Sequence, residues 1–190
     1  ALNKARSKGR AGFRREFTVF VIRFFTIWIL LYALTLVSPG ITSFLQKIVS
    51  RELAFALRSA GYDFEVKNIV FNFRTSHGLE KLYIIAECTG LYTTLIYLAI
   101  IGAFPARNRD RLTGILIGVP AIHLMNLARV VFISIIIYHR KDLFDFFHGY
   151  LWQVGFVVFM LILVFFWTAR IARPPGDEKS KKNKTGTNSV

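Results

Sequence analysis

Four long apolar runs dominate this chain, and polar, often basic, stretches separate them. A helix needs about 20 residues to cross a hydrocarbon core of about 30 Å. The runs therefore predict transmembrane helices at about residues 17–37, 88–104, 112–137 and 150–171. Arg23 interrupts the first run near one end, where its side chain can reach back to the interface. This first run is too long for a cleavable signal peptide, and no small-residue cleavage site follows it.

Residues 38–87 form the one sizeable stretch between spans. Apolar residues recur at helical spacing from Pro39 to Gly61, which predicts a helix lying on or near the membrane surface. Phe64, Val66 and, after a slip, Ile69, Phe71 and Phe73 then alternate with polar residues, which predicts a hairpin or a pair of strands. The predicted fold is all-α and membrane-integral, with about four transmembrane helices and a small extracytoplasmic helix-plus-strand insert between the first two.

The basic residues indicate the orientation of the spans. Residues 1–16, the connection 105–111 and the tail from 170 hold most of the Lys and Arg of a chain with a formal net charge of +14. Because cytoplasmic segments are enriched in Lys and Arg, both termini are predicted to be cytoplasmic. Residues 1–16 are then a basic cytoplasmic N-terminus, 17–171 a single membrane domain, and 172–190 a basic, disordered cytoplasmic tail. The charge is explained by topology and anionic lipid, so no nucleic-acid partner is predicted.

Three reactive side chains are predicted to share the extracytoplasmic face. Cys88, the only cysteine, begins the second span, Arg129 lies near the outer end of the third, and His148 precedes the fourth. A thiol, a permanent cation and a titratable base make up a cysteine acyl-transfer site. Cys88 would be the nucleophile, Arg129 would stabilise the oxyanion and the thiolate, and His148 would be the general acid and base. Asn126, on the same helix face as Arg129, and Glu87 are supporting candidates.

Each of these residues also has an ordinary structural explanation. Cys88 is a small residue suited to a buried helix start, Arg129 can snorkel to the interface, and His148 is flanked by interfacial aromatic residues. Because all three are predicted at the same membrane face, a catalytic site is favoured over three unrelated structural roles. His123, in the middle of the third span, is predicted to hydrogen-bond to a neighbouring helix. The histidines, carboxylates and lone Cys show no metal-ligand spacing, so neither a metal nor a cofactor is predicted.

The segments "ECTGL", "NLARV" and "HGYLWQ" resemble motifs of the exosortase/archaeosortase family of integral membrane cysteine transpeptidases. The resemblance covers roughly residues 80–160 in the order Cys, Arg, His, although Thr89 stands where a small residue, often Ser, follows the family's Cys, and four spans are fewer than many members have. It implies Cys88 as the nucleophile, with Arg129 and His148 as its partners. It also implies exported substrates with a C-terminal tripartite sorting signal: a short motif, a hydrophobic helix and a basic cluster.

The predicted function is therefore a multi-pass cell-membrane protease/transpeptidase whose active site is extracytoplasmic. It would cleave the sorting signal through a thioester and pass the new C-terminus to an acceptor, for which the resemblance suggests a membrane lipid. Two alternatives stay open from the residues alone. A purely hydrolytic membrane protease would use the same three side chains, whereas a non-catalytic membrane assembly subunit would not need the thiol.

Overall fold

A computed structural model describes the backbone of residues 2–75 and 78–171. Within these ranges it also describes the side chains from residue 14 onward, except those of Lys141, Asp145, His148 and Tyr150. The predicted disordered tail, residues 172–190, lies outside the described residues, as does His77.

The described chain is mostly helical with one small sheet. Its elements in order are α1 (Leu2–Val37), α2 (Pro39–Ser59), β1 (Phe64–Lys67), β2 (Val70–Thr75), β3 (Gly78–Tyr83), a 3-10 turn (Ala86–Thr89), α3 (Leu91–Ala103), α4 (Asn108–His139), a 3-10 turn (Lys141–Leu143), the single turn α5 (Phe144–Phe146), a π-helical turn (Phe147–Leu151) and α6 (Trp152–Arg170). The sheet is antiparallel in the order β1-β2-β3.

Three helices are long and apolar enough to cross a membrane, namely α1 from Arg14 to Val37, α4 and α6. The second predicted span, residues 88–104, is not one of these three helices. It comprises a 3-10 turn followed by α3, which has 13 residues. At 1.5 Å per residue α3 is about 20 Å long, shorter than the hydrocarbon core of about 30 Å. Gly90 separates the turn from α3 because its φ of 71° is left-handed.

The insert between α1 and α3 contains the predicted helix and strands. Helix α2 begins one residue after α1, with Pro39 in its first turn, where a proline costs no hydrogen bond. The predicted pair of strands is a three-stranded sheet, since residues 78–83 add β3 to the hairpin of β1 and β2. Phe71 and Phe73 are fully buried, as the alternation predicted, and Asn68 at φ 59° makes the tight turn before them.

Two apolar clusters hold these elements together. The first joins α2, the sheet and the C-terminal half of α4, and it includes Leu53, Phe71, Cys88 and Ile133. The second joins α3, the N-terminal half of α4 and α6 around Tyr97, Ile122 and Trp167. Helix α4 contributes to both clusters, so it sets the position of the insert relative to α3 and α6.

Two glycines of α4 allow close packing in the second cluster. The Tyr97 hydroxyl donates to the Gly114 carbonyl at 2.9 Å, and the Trp167 indole N–H donates to the Asp110 carbonyl at 2.9 Å. A Cβ atom at Gly118 would overlap the Tyr97 ring, and one at Gly114 would overlap the Trp167 indole. Both aromatic side chains therefore depend on glycine in the opposite helix.

We predict that Gly118→Ala destabilises the protein by about 1–3 kcal/mol, because the added methyl forces Tyr97 out of a fully buried site. Thermal unfolding of the detergent-solubilised protein measures the change. Gly155→Ala on α6 is the matched control, since a Cβ there meets nothing within 4 Å. An unfolding temperature equal for Gly118→Ala and the unsubstituted protein contradicts the packing described for Tyr97.

Candidate functional site

Cys88 lies in the 3-10 turn Ala86–Thr89, ahead of α3 and outside the three helices long enough to span a membrane. Its backbone N–H donates to the Ile85 carbonyl at 3.0 Å. The Thr89 hydroxyl donates to the Ala86 carbonyl at 2.7 Å and accepts the Leu91 N–H at 3.3 Å. Thr89 thus connects the turn to the first residue of α3. The thiol side chain is 7% exposed, at the edge of the first apolar cluster.

Asn126 of α4 fixes this turn from the opposite side. Its amide Nδ2 donates to the Cys88 carbonyl at 2.6 Å, and the residue is fully buried. A Cβ atom at Gly90 would lie 3.2 Å from Cβ and Cγ of Asn126. Glycine at position 90 therefore serves two purposes: it adopts the left-handed φ, and it lets α4 approach the turn. Asn126 Oδ1 is buried and has no hydrogen-bond partner among the described residues.

Arg129 follows Asn126 by one helical turn and is half-buried. Its guanidinium lies over the ring of Phe156 in α6, 5.7 Å from the centroid, a cation–π arrangement. Its Nε is buried and has no hydrogen-bond partner among the described groups. The guanidinium is close enough to the Cys88 thiol for its charge to influence ionisation of the sulfur.

Burial raises the pKa of the Cys88 thiol, because removing the group from water penalises the thiolate. The backbone N–H contact at Ile85 and the positive charge of Arg129 oppose this shift, while the negative charge of Glu87 adds to it. Burial therefore disfavours the thiolate form of Cys88. Any nucleophilic role requires a base to remove the thiol proton.

Glu87 is exposed, and it makes no salt bridge with another described side chain. Glu87, a supporting candidate from the sequence, therefore makes no ion pair with a cation of the site among the described side chains. Its carboxylate instead acts on Cys88 through space, in the unfavourable direction. Across the described parts of the chain, no group of three His, Cys, Asp or Glu residues is placed to hold a metal ion.

His148 belongs to the π-helical turn Phe147–Leu151, just before α6, and its side chain is not among those described. The neighbouring aromatic residues show where this turn lies. Phe132 of α4, three residues after Arg129, makes edge-to-face contacts with Phe147 at 5.3 Å and Trp152 at 5.7 Å between centroids. The backbone that carries His148 thus packs against α4 close to Arg129. π-helical turns occur often at functional sites.

The sequence predicted one member of a further polar pair, His123, but not the other, Glu52. His123 was predicted to hydrogen-bond to a neighbouring helix, and its Nε2 lies 2.8 Å from Oε2 of Glu52 in α2. Both side chains are partly exposed. Nothing in the sequence distinguishes Glu52, because its spacing within α2 is that of any polar residue on a surface helix. The pair connects the insert to α4 one turn before Asn126, on the same side of the helix.

The arrangement joins segments that are distant in sequence. The turn of Cys88 contacts α2 and α4, and Gln46 of α2 donates through its side-chain amide to the Ile84 carbonyl at 2.9 Å. Arg129 and Asn126 approach the turn from α4. The buried, unpartnered guanidinium N–H of Arg129 can donate to a carbonyl oxygen and polarise it, whereas the Asn126 amide oxygen can only accept a hydrogen bond.

Comparisons with known proteins identify the family of the chain. The sequence profile of the family described as transmembrane exosortase matches residues 9–168. A 104-residue segment is 32% identical to archaeosortase A of Haloferax volcanii. That alignment covers 51% of this chain and 34% of the relative, so the chain matches about a third of that protein's length. No solved structure shows significant similarity to the chain.

We predict that Asn126→Ala and Asn126→Asp both destabilise the protein by about 1–3 kcal/mol, since each leaves the buried Cys88 carbonyl without its amide donor. Both variants should also speed labelling of Cys88 by a maleimide, because the turn is released from α4. Thermal unfolding and timed labelling measure the two effects. Asn72→Thr, in the middle of β2, is the control and should change neither. Unchanged labelling in both Asn126 variants contradicts the role given to this hydrogen bond.

We predict that Arg129→Ala moves the pH midpoint of Cys88 alkylation to a higher pH. Removing the cation that favours the thiolate raises the thiol pKa further above its ordinary value. At a fixed pH below the midpoint, this lowers the thiolate fraction and slows alkylation. Arg129→Lys keeps the charge and should shift the midpoint less. A midpoint that is the same in Arg129→Ala contradicts electrostatic coupling, whatever the change in absolute rate.

Proposed function

This chain belongs to the transmembrane exosortase family, and from that premise we propose that it is a membrane-embedded cysteine transpeptidase. The observation that supports the proposal is the surroundings of Cys88 in this multi-pass membrane protein. The thiol sits on a turn held by Asn126 and within electrostatic reach of Arg129. A cysteine needed only for packing requires neither of these polar neighbours.

In the proposed first step, His148 removes the proton from the Cys88 thiol as the sulfur attacks the carbonyl carbon of the scissile peptide bond. A raised thiol pKa requires such a base, because little thiolate forms unaided. The packing of Phe147 and Trp152 on Phe132 supports a position for the His148 segment beside α4.

The negative charge of the tetrahedral intermediate passes to the carbonyl oxygen. Arg129 is the proposed partner for this oxyanion, because its Nε–H is buried and has no other acceptor among the described residues. The contact with Phe156 restrains the guanidinium, so little reorganisation is needed when the charge develops. Asn126 is a positioning residue in this scheme, because its amide is already committed to the Cys88 carbonyl.

Collapse of the intermediate breaks the carbon–nitrogen bond and forms a thioester on Cys88. The leaving amine takes the proton held by His148. An acceptor nucleophile then gives its proton to His148 and attacks the thioester carbonyl. The Cys88 sulfur leaves, and His148 returns the proton to it, which restores the thiol and the neutral histidine. With water as the acceptor the product is a free carboxylate, and with an amine or hydroxyl it is an amide or ester.

The proposed substrates are exported proteins with a C-terminal sorting signal made of a motif, a hydrophobic helix and a basic cluster. In the proposed topology α3 and the turn before it make a fourth crossing, both termini are cytoplasmic and the site is extracytoplasmic, so the signal helix would lie in the bilayer beside α4 and α6. Its basic end would remain cytoplasmic. Membrane lipid is the proposed acceptor.

Substrate processing in cells tests this function. We expect Cys88→Ser and Cys88→Ala to abolish cleavage of a co-expressed protein bearing a tripartite signal. We expect His148→Ala to slow cleavage by about 100- to 10,000-fold and Arg129→Ala by about 100- to 1,000-fold. His139→Ala is the matched histidine control and should process normally, since this exposed residue at the end of α4 packs against Tyr62 and Tyr138. Processing that survives Cys88→Ala overturns the mechanism.

Mass spectrometry of the processed C-terminus in the same cells separates transfer from hydrolysis. Transpeptidation predicts an added mass on the new terminal residue, and a lipid acceptor predicts that the mass contains acyl or isoprenoid chains. A free carboxylate as the sole product contradicts transfer and leaves a membrane cysteine protease.

A further inference from the structure

A cavity lies away from the Cys88 turn, between the second half of α2 and the hairpin of β1 and β2. Its volume is about 540 Å³, within the range of small-ligand sites. The lining includes Ser50, Arg51, Phe55 and Arg58 from α2, with Asn68 from the β1–β2 turn. Nothing in the proposed transpeptidase chemistry uses these residues.

The charge of the cavity is positive. Arg51 and Arg58 are seven residues apart in α2, so they lie on the same helix face. The Arg58 guanidinium is held 5.5 Å above the ring of Phe64. No carboxylate lines the cavity, and neither arginine forms a salt bridge with another described residue. The nearest acid in sequence, Glu52, is engaged with His123 instead.

The hydroxyl of Ser50 is a second indication, independent of the positive charge, that the cavity binds a polar ligand. The residue is 4% exposed and lines the cavity, and its hydroxyl oxygen is buried with no hydrogen-bond partner among the described groups. Buried hydroxyl groups are nearly always hydrogen-bonded, because an unmade bond costs free energy. An oxygen-rich anion in the cavity would accept the Ser50 proton and the guanidinium protons together.

The surroundings of the cavity select a lipid over a soluble anion. Phe55, at the rim, is 75% exposed, and Phe44, farther along the same helix, is 63% exposed. Exposed aromatic residues alternating with Lys47, Arg51 and Arg58 are typical of a helix lying in the membrane interface. Helix α2 also begins one residue after α1, which is long and apolar enough to cross the membrane.

We infer that this cavity binds the phosphate head group of an anionic membrane lipid. The phosphate oxygens accept from Arg51, Arg58 and Ser50, and the acyl chains lie along the apolar residues of α2, beginning at Phe55. The bound lipid anchors α2 in the interface. This inference does not rest on the proposed transpeptidase activity, because it concerns a different surface and is tested without substrate.

Native mass spectrometry of the full chain, released from nanodiscs of mixed phosphatidylglycerol and phosphatidylcholine, tests the site. We expect selective retention of phosphatidylglycerol. The Arg51→Gln/Arg58→Gln double variant should bind it roughly 30-fold more weakly, as expected for the loss of two interfacial cations. Ser50→Ala should weaken binding by a smaller factor, and Arg51→Lys/Arg58→Lys should retain most of it. Arg74→Gln, an exposed arginine on β2 outside the cavity, is the control and should bind normally.

Several outcomes overturn the inference. Equal retention of phosphatidylglycerol by the Gln double variant shows that the lipid binds elsewhere. Equal retention of the two lipids removes the requirement for an anion. Inorganic phosphate or an acidic peptide that displaces the lipid at micromolar concentration shows that the site takes a soluble anion. Maleimide labelling of Cys88 should be the same in all these variants, which separates failure here from failure of the transpeptidase proposal.

Discussion

The hydrogen bond from Asn126 to the Cys88 carbonyl is the contact on which the rest of this structure depends. It joins residues 38 apart in sequence, and both groups are buried. In an apolar surrounding, an unpaired amide or carbonyl is costly, so the bond strongly favours one position of the turn against α4. The left-handed Gly90 makes the close approach possible because it has no Cβ. The position of the thiol follows from these two residues.

Helix α4, which carries Asn126, also packs against the other main elements of the molecule. Its N-terminal half packs through Gly114 and Gly118 against Trp167 and Tyr97, and its C-terminal half packs against α2 and the sheet. Between these halves it presents His123, Asn126 and Arg129 at successive turns, each toward a different partner. Each of these polar groups contacts a protein group: His123 contacts Glu52, Asn126 the Cys88 carbonyl and Arg129 the ring of Phe156. One helix thus supplies both the scaffold and most of the polar groups of the site.

Much of the architecture was predictable from the pattern of apolar residues. The helix from Pro39, the inward-facing Phe71 and Phe73, and three of the long apolar helices follow from periodicity and length, which are local properties. The second apolar run was less predictable. Its hydropathy suggests a full span beginning at Cys88, but a 3-10 turn and Gly90 delay the helix to Leu91. Hydropathy does not report where a glycine will adopt a positive φ.

The sequence by itself determined which segments are apolar and which carry Cys88, Arg129 and His148, because composition and spacing along one chain suffice for that. Tertiary structure decided which polar groups meet. The bond between His123 and Glu52 spans 71 positions, and nothing local to either residue indicates the other. The burial of the Cys88 thiol, and with it the raised pKa, likewise arises from atoms of α2, α4 and the sheet. Contacts between distant segments depend on how the helices pack, and packing depends on all of them together.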